Sequence, residues 1–149
     1  MIQGKWFPQG ADLADALSVR RAVFGRGEDG LDPEAWNVVV YLDGQPAGAG
    51  RIWWREGSFW LGDIGVLPAL RGKKLGDLVL RLLLFKAQSH AAREVRLRTS
   101  PEVEGFFSRL GLRAASLQGQ ELEMFIPGEE IDLDSCKACK KQNCPSRKE

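Results

Sequence analysis

The residues best suited to chemistry stand together. Arg71-Gly72-Lys73-Lys74-Leu75-Gly76 lies between an apolar stretch ending at Val66-Leu67-Pro68 and a run in which Leu75, Leu78, Val79, Leu82 and Leu83 recur at helical spacing. A basic, glycine-containing loop therefore opens directly into a helix. The first N–H groups of a helix have no intrahelical partner, and its dipole presents partial positive charge there. Such an end accepts phosphate. Gly72 and Gly76 would let the backbone approach an anion and permit positive φ, while Arg71, Lys73 and Lys74 add formal charge. The pattern suits a phosphate or pyrophosphate; the alternative is a solvated basic turn between a strand and a helix. The chain contains no GxxxxGKS or GxxxxGKT, and the loop itself does not spell GxGxxG, so it is neither a P-loop nor a dinucleotide fingerprint.

The elements that must position this loop follow from turns and periodicity. Residues Ile2 to Phe7 form a short strand stopped by Pro8, and Asp12 can cap a helix running to Phe24. Gly25, Gly27 and Gly30 end that helix; Asp32-Pro33-Glu34 is a short helical turn or a loop. Trp36–Leu42, Pro46–Trp54 and Ser58–Leu67 are strands joined at Asp43-Gly44 and Arg55-Glu56-Gly57, which predicts an antiparallel meander. A helix over Leu75–Ser89 follows. Glu94–Thr99 alternates apolar and charged residues as a half-buried strand does. Glu102–Leu110 is a short helix, and Leu112–Leu117 and Leu122–Ile126 are the last strands. The expectation is one α/β domain over residues 1–128 and a polar, cysteine-bearing tail over 129–149.

Composition narrows the class of function. The chain has 149 residues and a formal net charge of +1, which argues against a general nucleic-acid binder. No apolar run approaches the roughly 20 residues of a membrane span. Met1-Ile2-Gln3-Gly4-Lys5 lacks the apolar region of a signal peptide, so a cytoplasmic protein with no membrane partner is expected.

The wording of the loop resembles a known family. Val-x-Pro-x-x-Arg-Gly-x-x-Leu-Gly, after a strand and opening a helix, is similar to the acetyl-CoA loop of the GNAT superfamily of N-acetyltransferases. Arg71 and Gly76 match the ends of the family pattern Q/R-x-x-G-x-G/A; Lys74 stands where its central glycine is usual. The inferred order of elements is the family's order. Val19-Arg20-Arg21-Ala22-Val23-Phe24 with Glu28, and Gln45-Pro46-Ala47-Gly48-Ala49-Gly50-Arg51-Ile52, resemble stretches of a small bacterial GNAT group. The resemblance implies a mixed, mostly antiparallel central sheet flanked by helices. It implies that Arg71, Gly72, Lys73, Lys74, Leu75 and Gly76 hold the pyrophosphate of acetyl-CoA, the cosubstrate. Val66 and Leu67 would hold the pantetheine arm, and Thr99 and Ser100 would touch the coenzyme from the other side.

Moving an acetyl group from a thioester to an amine requires a neutral amine, a polarised carbonyl and a tolerated thiolate. A backbone N–H near Val66 would polarise the carbonyl. Two carboxylates could take the amine proton, directly or through water: Asp63, whose alternative role is a structural hydrogen bond, and Glu28, whose alternative is a solvated loop charge. Many family members supply an acid from Phe-Tyr-x-x-Leu-Gly; here Phe106-Phe107-Ser108-Arg109-Leu110-Gly111 places Phe107 at the tyrosine position. Tyr41, the chain's single tyrosine, is on a different strand. Thiolate then departs unaided or with water, Ser100 or Ser108, unless the chain is a non-catalytic acyl-CoA-binding or interaction module. The expected acceptor is an amine of a small molecule or, second, of a peptide; a homodimer is left open. Cys136, Cys139 and Cys144 form a zinc half-site, a redox-sensitive pair or free thiols. No metal ligand is assigned. His90 at the end of the long helix complements its dipole.

Overall fold

The computed structural model describes residues 1–133, so the expectations for Cys136, Cys139 and Cys144 lie outside the described residues. Seven strands form one sheet: β1 (Ile2–Phe7), β2 (Trp36–Leu42), β3 (Gln45–Arg55), β4 (Ser58–Val66), β5 (Glu94–Thr99), β6 (Arg113–Gln118) and β7 (Glu121–Pro127). Their spatial order is β1-β2-β3-β4-β5-β7-β6. All neighbours are antiparallel except β4 and β5. That parallel step needs a crossover, supplied by α2 (Leu75–Ser89). α1 (Ala14–Phe24) links β1 to β2, and α3 (Glu104–Ser108) follows β5.

Strand alternation sends side chains to two faces. On one face Val38, Val40, Ile52, Leu61, Val95, Leu97, Met124 and Ile126 meet Leu75, Val79, Leu80, Leu83 and Leu84 of α2. On the other, Val39 and Ala49 meet Ala16 and Val19 of α1. Gly50 sets the spacing of the larger layer, because a Cβ there would lie 2.9 Å from both Val79 and Leu83. α2 can approach β3 only because that position has no side chain.

Most elements coincide with those read from turns and periodicity. The predicted helix over 102–110 is a 3-10 turn, Pro101–Val103, followed by the short α3. α1 begins two residues after Asp12, whose Oδ1 accepts the Ala14 N–H at 3.0 Å and so still serves the first turn. Gly25-Arg26-Gly27-Glu28-Asp29-Gly30 does spell GxGxxG, but it follows a helix rather than a strand and leads only to the 3-10 turn Asp32–Glu34, so the strand and α-helix of a dinucleotide site are missing. His90 ends α2 and lies edge-on to Trp36, with ring centroids 5.0 Å apart.

Packing continues past the sequence-derived boundary at residue 128. Ile131 is buried in the α2-side core, and Gln88 Nε2 donates to its carbonyl at 2.9 Å. Arg81 Nη1 donates to the carbonyl of Leu133 at 3.5 Å. Ile131→Ala should therefore cost about 2–4 kcal/mol through the cavity it leaves. Chemical denaturation checks this; a variant as stable as the parent would show that the segment does not pack.

Candidate active site

The sheet forks beside the basic loop. β4 and β5 pair only over Phe59–Leu61 against Val95–Leu97, although β4 runs on to Val66. Beyond Leu61 the edge of β4 that faced β5 has no strand partner among the described residues. A bulge lies in the same stretch. The β3–β4 register steps from Arg51↔Gly62 to Ala49↔Gly65, so Asp63 and Ile64 share one opposing residue, Gly50. Asp63 takes φ 52°, a left-handed conformation that aspartate tolerates better than most residues.

Hydrogen-bond alternation decides where Val66 points. Leu67 N–H donates to the Ala47 carbonyl at 2.9 Å, and Val66 lies opposite Gly48. Pairs 47–67 and 49–65 are thus the hydrogen-bonded ones, and Val66 directs its own N–H and C=O away from β3 into the fork. Its carbonyl receives Arg71 Nε at 3.1 Å. After the 3-10 turn Pro68–Leu70, the loop delivers α2 to the end of the fork.

α2 has no side-chain cap, and no backbone acceptor meets its first-turn amides among the described residues. Arg71, Gly72, Lys73 and Lys74 are exposed around that end. The first-turn acid, Asp77, is held by Arg81 Nε at 2.8 Å, so its charge is compensated. Gly72 has φ 89°. Gly76 does not use its freedom for positive φ: it is an ordinary helical residue, and a methyl there would lie 3.5 Å from Phe106 and 3.6 Å from Val66. Lys74 carries the left-handed backbone instead, at φ 64° and ψ 22°. The residue that departs from the family pattern thus adopts the geometry that the usual glycine adopts without strain.

The two rings of α3 divide their tasks. Phe107 is 6% exposed and belongs to the α2-side core. Phe106 is the ring that approaches Gly76 beside Val66, and it stands edge-on to Phe107 at 4.9 Å. Position 106 carries no signal in the sequence beyond its place one residue before Phe107. Thr99 is half-buried at the end of β5 and Ser100 is exposed just beyond it, on the opposite arm of the fork.

Asp63 sits within a buried network of charges. Its side chain is 8% exposed and lies 2.6 Å from Arg26 Nη2, 2.9 Å from Arg51 Nη2 and 3.5 Å from Arg20 Nε. Arg20 forks onto Asp32 at 2.9 and 3.1 Å, and Arg51 forks onto Asp29 at 2.7 and 2.8 Å. Asn37 Oδ1 accepts a further N–H from Arg20 at 3.0 Å. These bonds tie the loop after α1 to the bulge of β4. The Arg51 hydrogen bond, outweighing burial, holds the Asp29 carboxyl well below the usual carboxylate range. Burial pushes Asp32 up, but its bonds to Arg20 and the Asp29 amide outweigh that and leave it lowered. Glu28, on the same loop, is exposed and forms no ion pair among the described residues.

A sheet that splays between two parallel strands, with an uncapped helix N-terminus at the end of the opening, gives the site an unpaired strand edge that runs into an anion-accepting end. Solved structures share the fold. An acyl-CoA N-acyltransferase from Pseudomonas aeruginosa superposes with a TM-score of 0.77 at 20% identity, over 84% of this chain and 99% of that one. The PaiA N-acetyltransferase of Thermoplasma acidophilum, solved in complex with coenzyme A, gives 0.69 at 13% identity, over 85% and 99%. An uncharacterized N-acetyltransferase of Bacillus subtilis, YjcF, is 30% identical over 130 residues, 82% of this chain and 92% of its own length. The model of the acetyltransferase (GNAT) family matches residues 11–112, more than half of the chain, and the chain belongs to that family.

Two outcomes follow from this geometry. Lys74→Gly should keep or raise stability by up to about 1 kcal/mol, whereas Lys74→Val should lose about 1–2 kcal/mol, since a β-branched residue resists left-handed φ. Melting curves check both, and equal stability of the two variants would contradict the strained cap. Asp29 and Asp32 titrate lower in the fold than the ordinary value of 3.8. Their stabilisation is therefore complete above about pH 4 and lost as pH falls through the depressed values. Melting temperature should be flat from pH 7 to 5 and fall below 4; a flat curve down to pH 2 would mean the network adds nothing.

Proposed function

We propose that the fork binds acetyl-CoA and that the protein transfers its acetyl group to an amine of a small molecule, with a peptide amine as the second choice. The observation that carries the reading is the outward aim of Val66 into an unpaired strand edge that ends at the uncapped start of α2. An amide-bearing arm can add to such an edge as a strand would. The free amides of α2 with Arg71, Lys73 and Lys74 suit a pyrophosphate. The coenzyme supplies the activated acetyl thioester, and its supply favours the cytoplasm as the place of reaction. Every group this reading uses lies within the described residues 1–133.

Val66 and Leu67 hold the arm, Gly72, Leu75 and Gly76 admit the phosphates, and Thr99 and Ser100 close the other arm of the fork. On this reading the Val66 N–H, which points away from β3, polarises the thioester carbonyl. Of the two carboxylates, Glu28 suits the base, because Asp63 already faces three guanidiniums. Asp63 then acts by holding the bulge and the Glu28 loop together. Phe107 gives no proton, so thiolate departs unaided or through water, consistent with a thiol pKa of about 8.5.

Gly76→Asp places a carboxylate beside the phosphates and should weaken coenzyme A binding by more than tenfold, that is by more than about 1.4 kcal/mol; calorimetry that gives equal affinities would refute the site. Acetyl-CoA consumption across a panel of amines tests transfer. Glu28→Gln should then lower the rate by about 10²-fold or more and leave coenzyme affinity unchanged. An unaffected rate removes Glu28 from the chemistry, and no consumption with any amine leaves a binding module only.

A further inference from the structure

We infer that Arg71 makes the fork selective for thioesters that carry phosphate, by occupying with its own side chain the edge position that a bare pantetheine arm would need. The inference rests on the coenzyme reading above and adds a specificity-determining residue to it.

The Val66 carbonyl faces the fork because Val66 sits in a non-hydrogen-bonded pair with β3. A strand-like ligand would donate an amide N–H to this carbonyl. In the free protein, Arg71 Nε makes that donation at 3.1 Å. The side chain reaches back across the Pro68–Leu70 turn, and the Arg71 N–H donates to the Pro68 carbonyl at 3.4 Å. A guanidinium has five N–H donors. Among the described residues, no carboxylate or other protein acceptor meets the Nη atoms of Arg71, and the residue is exposed.

The same arginine is the first residue of the basic loop. It stands five positions before Gly76, whose amide is among the free ones at the start of α2. Asp77, the acid of that turn, is already taken by Arg81 and does not compete for it. A ligand without phosphate must therefore displace a charge-assisted hydrogen bond and offers the guanidinium nothing in exchange. A ligand that brings a pyrophosphate offers it a stronger, bidentate partner within reach of the loop. Arg71 opposes the first ligand and favours the second.

The signs of the two effects differ, which makes the test specific. Binding of acetyl-CoA and of S-acetylpantetheine is measured by calorimetry, or by ligand-observed NMR at millimolar concentration, for wild type, Arg71→Met and Arg71→Lys. Arg71→Met should bind acetyl-CoA about tenfold more weakly and S-acetylpantetheine about threefold to tenfold more tightly. Arg71→Lys keeps the charge without an Nε–H, so it should retain most acetyl-CoA affinity and share the gain for S-acetylpantetheine. Melting curves within a few degrees of wild type confirm the fold. S-acetylpantetheine affinity that is unchanged or falls in both variants overturns the inference, as does its failure to bind either wild type or Arg71→Met. In those cases wild-type affinity for acetyl-CoA leaves the coenzyme reading standing. Wild type that binds no acetyl-CoA overturns both.

Discussion

Backbone amides and carbonyls inside a sheet need partners on both edges of a strand, and among the described residues β4 beyond Leu61 has a partner strand on one edge only. The rest of the molecule is arranged around that gap. β5 diverges and turns to its other neighbour, β7, with which it stays paired to the end at Thr99↔Leu122. α2 comes back from the far side of the parallel step and sets its free amides at the end of the opening. The side chains of Phe106 and Val66 lie next to Gly76 at that helix start. A gap of this kind is stable in the free protein only if its polar groups are solvated or borrowed, and the Arg71 contact to Val66 is such a loan.

The bulge next to the gap carries a cost of its own, since Asp63 is a non-glycine residue at positive φ. Three arginines and three aspartates hold it in place, from α1, β3, β4 and the loop after α1. Desolvating so many charges consumes much of their mutual attraction, so such a network is weak evidence for net stability. Its geometry is better evidence for placement: forked contacts from Arg20 and Arg51 fix the loop against the strand in one register. The electrostatics thus serve the relation between the Glu28 loop and the fork more than the strength of the fold.

Lys74 shows how a departure from a pattern can conserve its physics. The backbone at the start of α2 must turn left-handed to aim the following amides outward, and the chain accepts strain there rather than a different turn. The exposed lysine adds a positive charge at that helix end.

The order of strands and helices was legible in the chain because turn residues and the two periodicities, near two and near 3.6, are local properties. Asp43-Gly44, Arg55-Glu56-Gly57 and the leucine spacing after Lys74 each act within a few residues. The basic loop opening a helix was legible for the same reason. The sequence could not show that β7 inserts between β5 and β6, because pairing partners are chosen by burial across the whole sheet. Nor could it show the bulge at Asp63, which arises from a mismatch between two strands and has no signature in either alone. Arg51 reads locally as one charge in an apolar strand; only the tertiary fold brings it against Asp29, Asp32 and Asp63. Phe106 and Phe107 are the same residue type and adjacent in sequence, and only the tertiary packing decided which ring approaches Gly76, half-buried, and which is buried in the core.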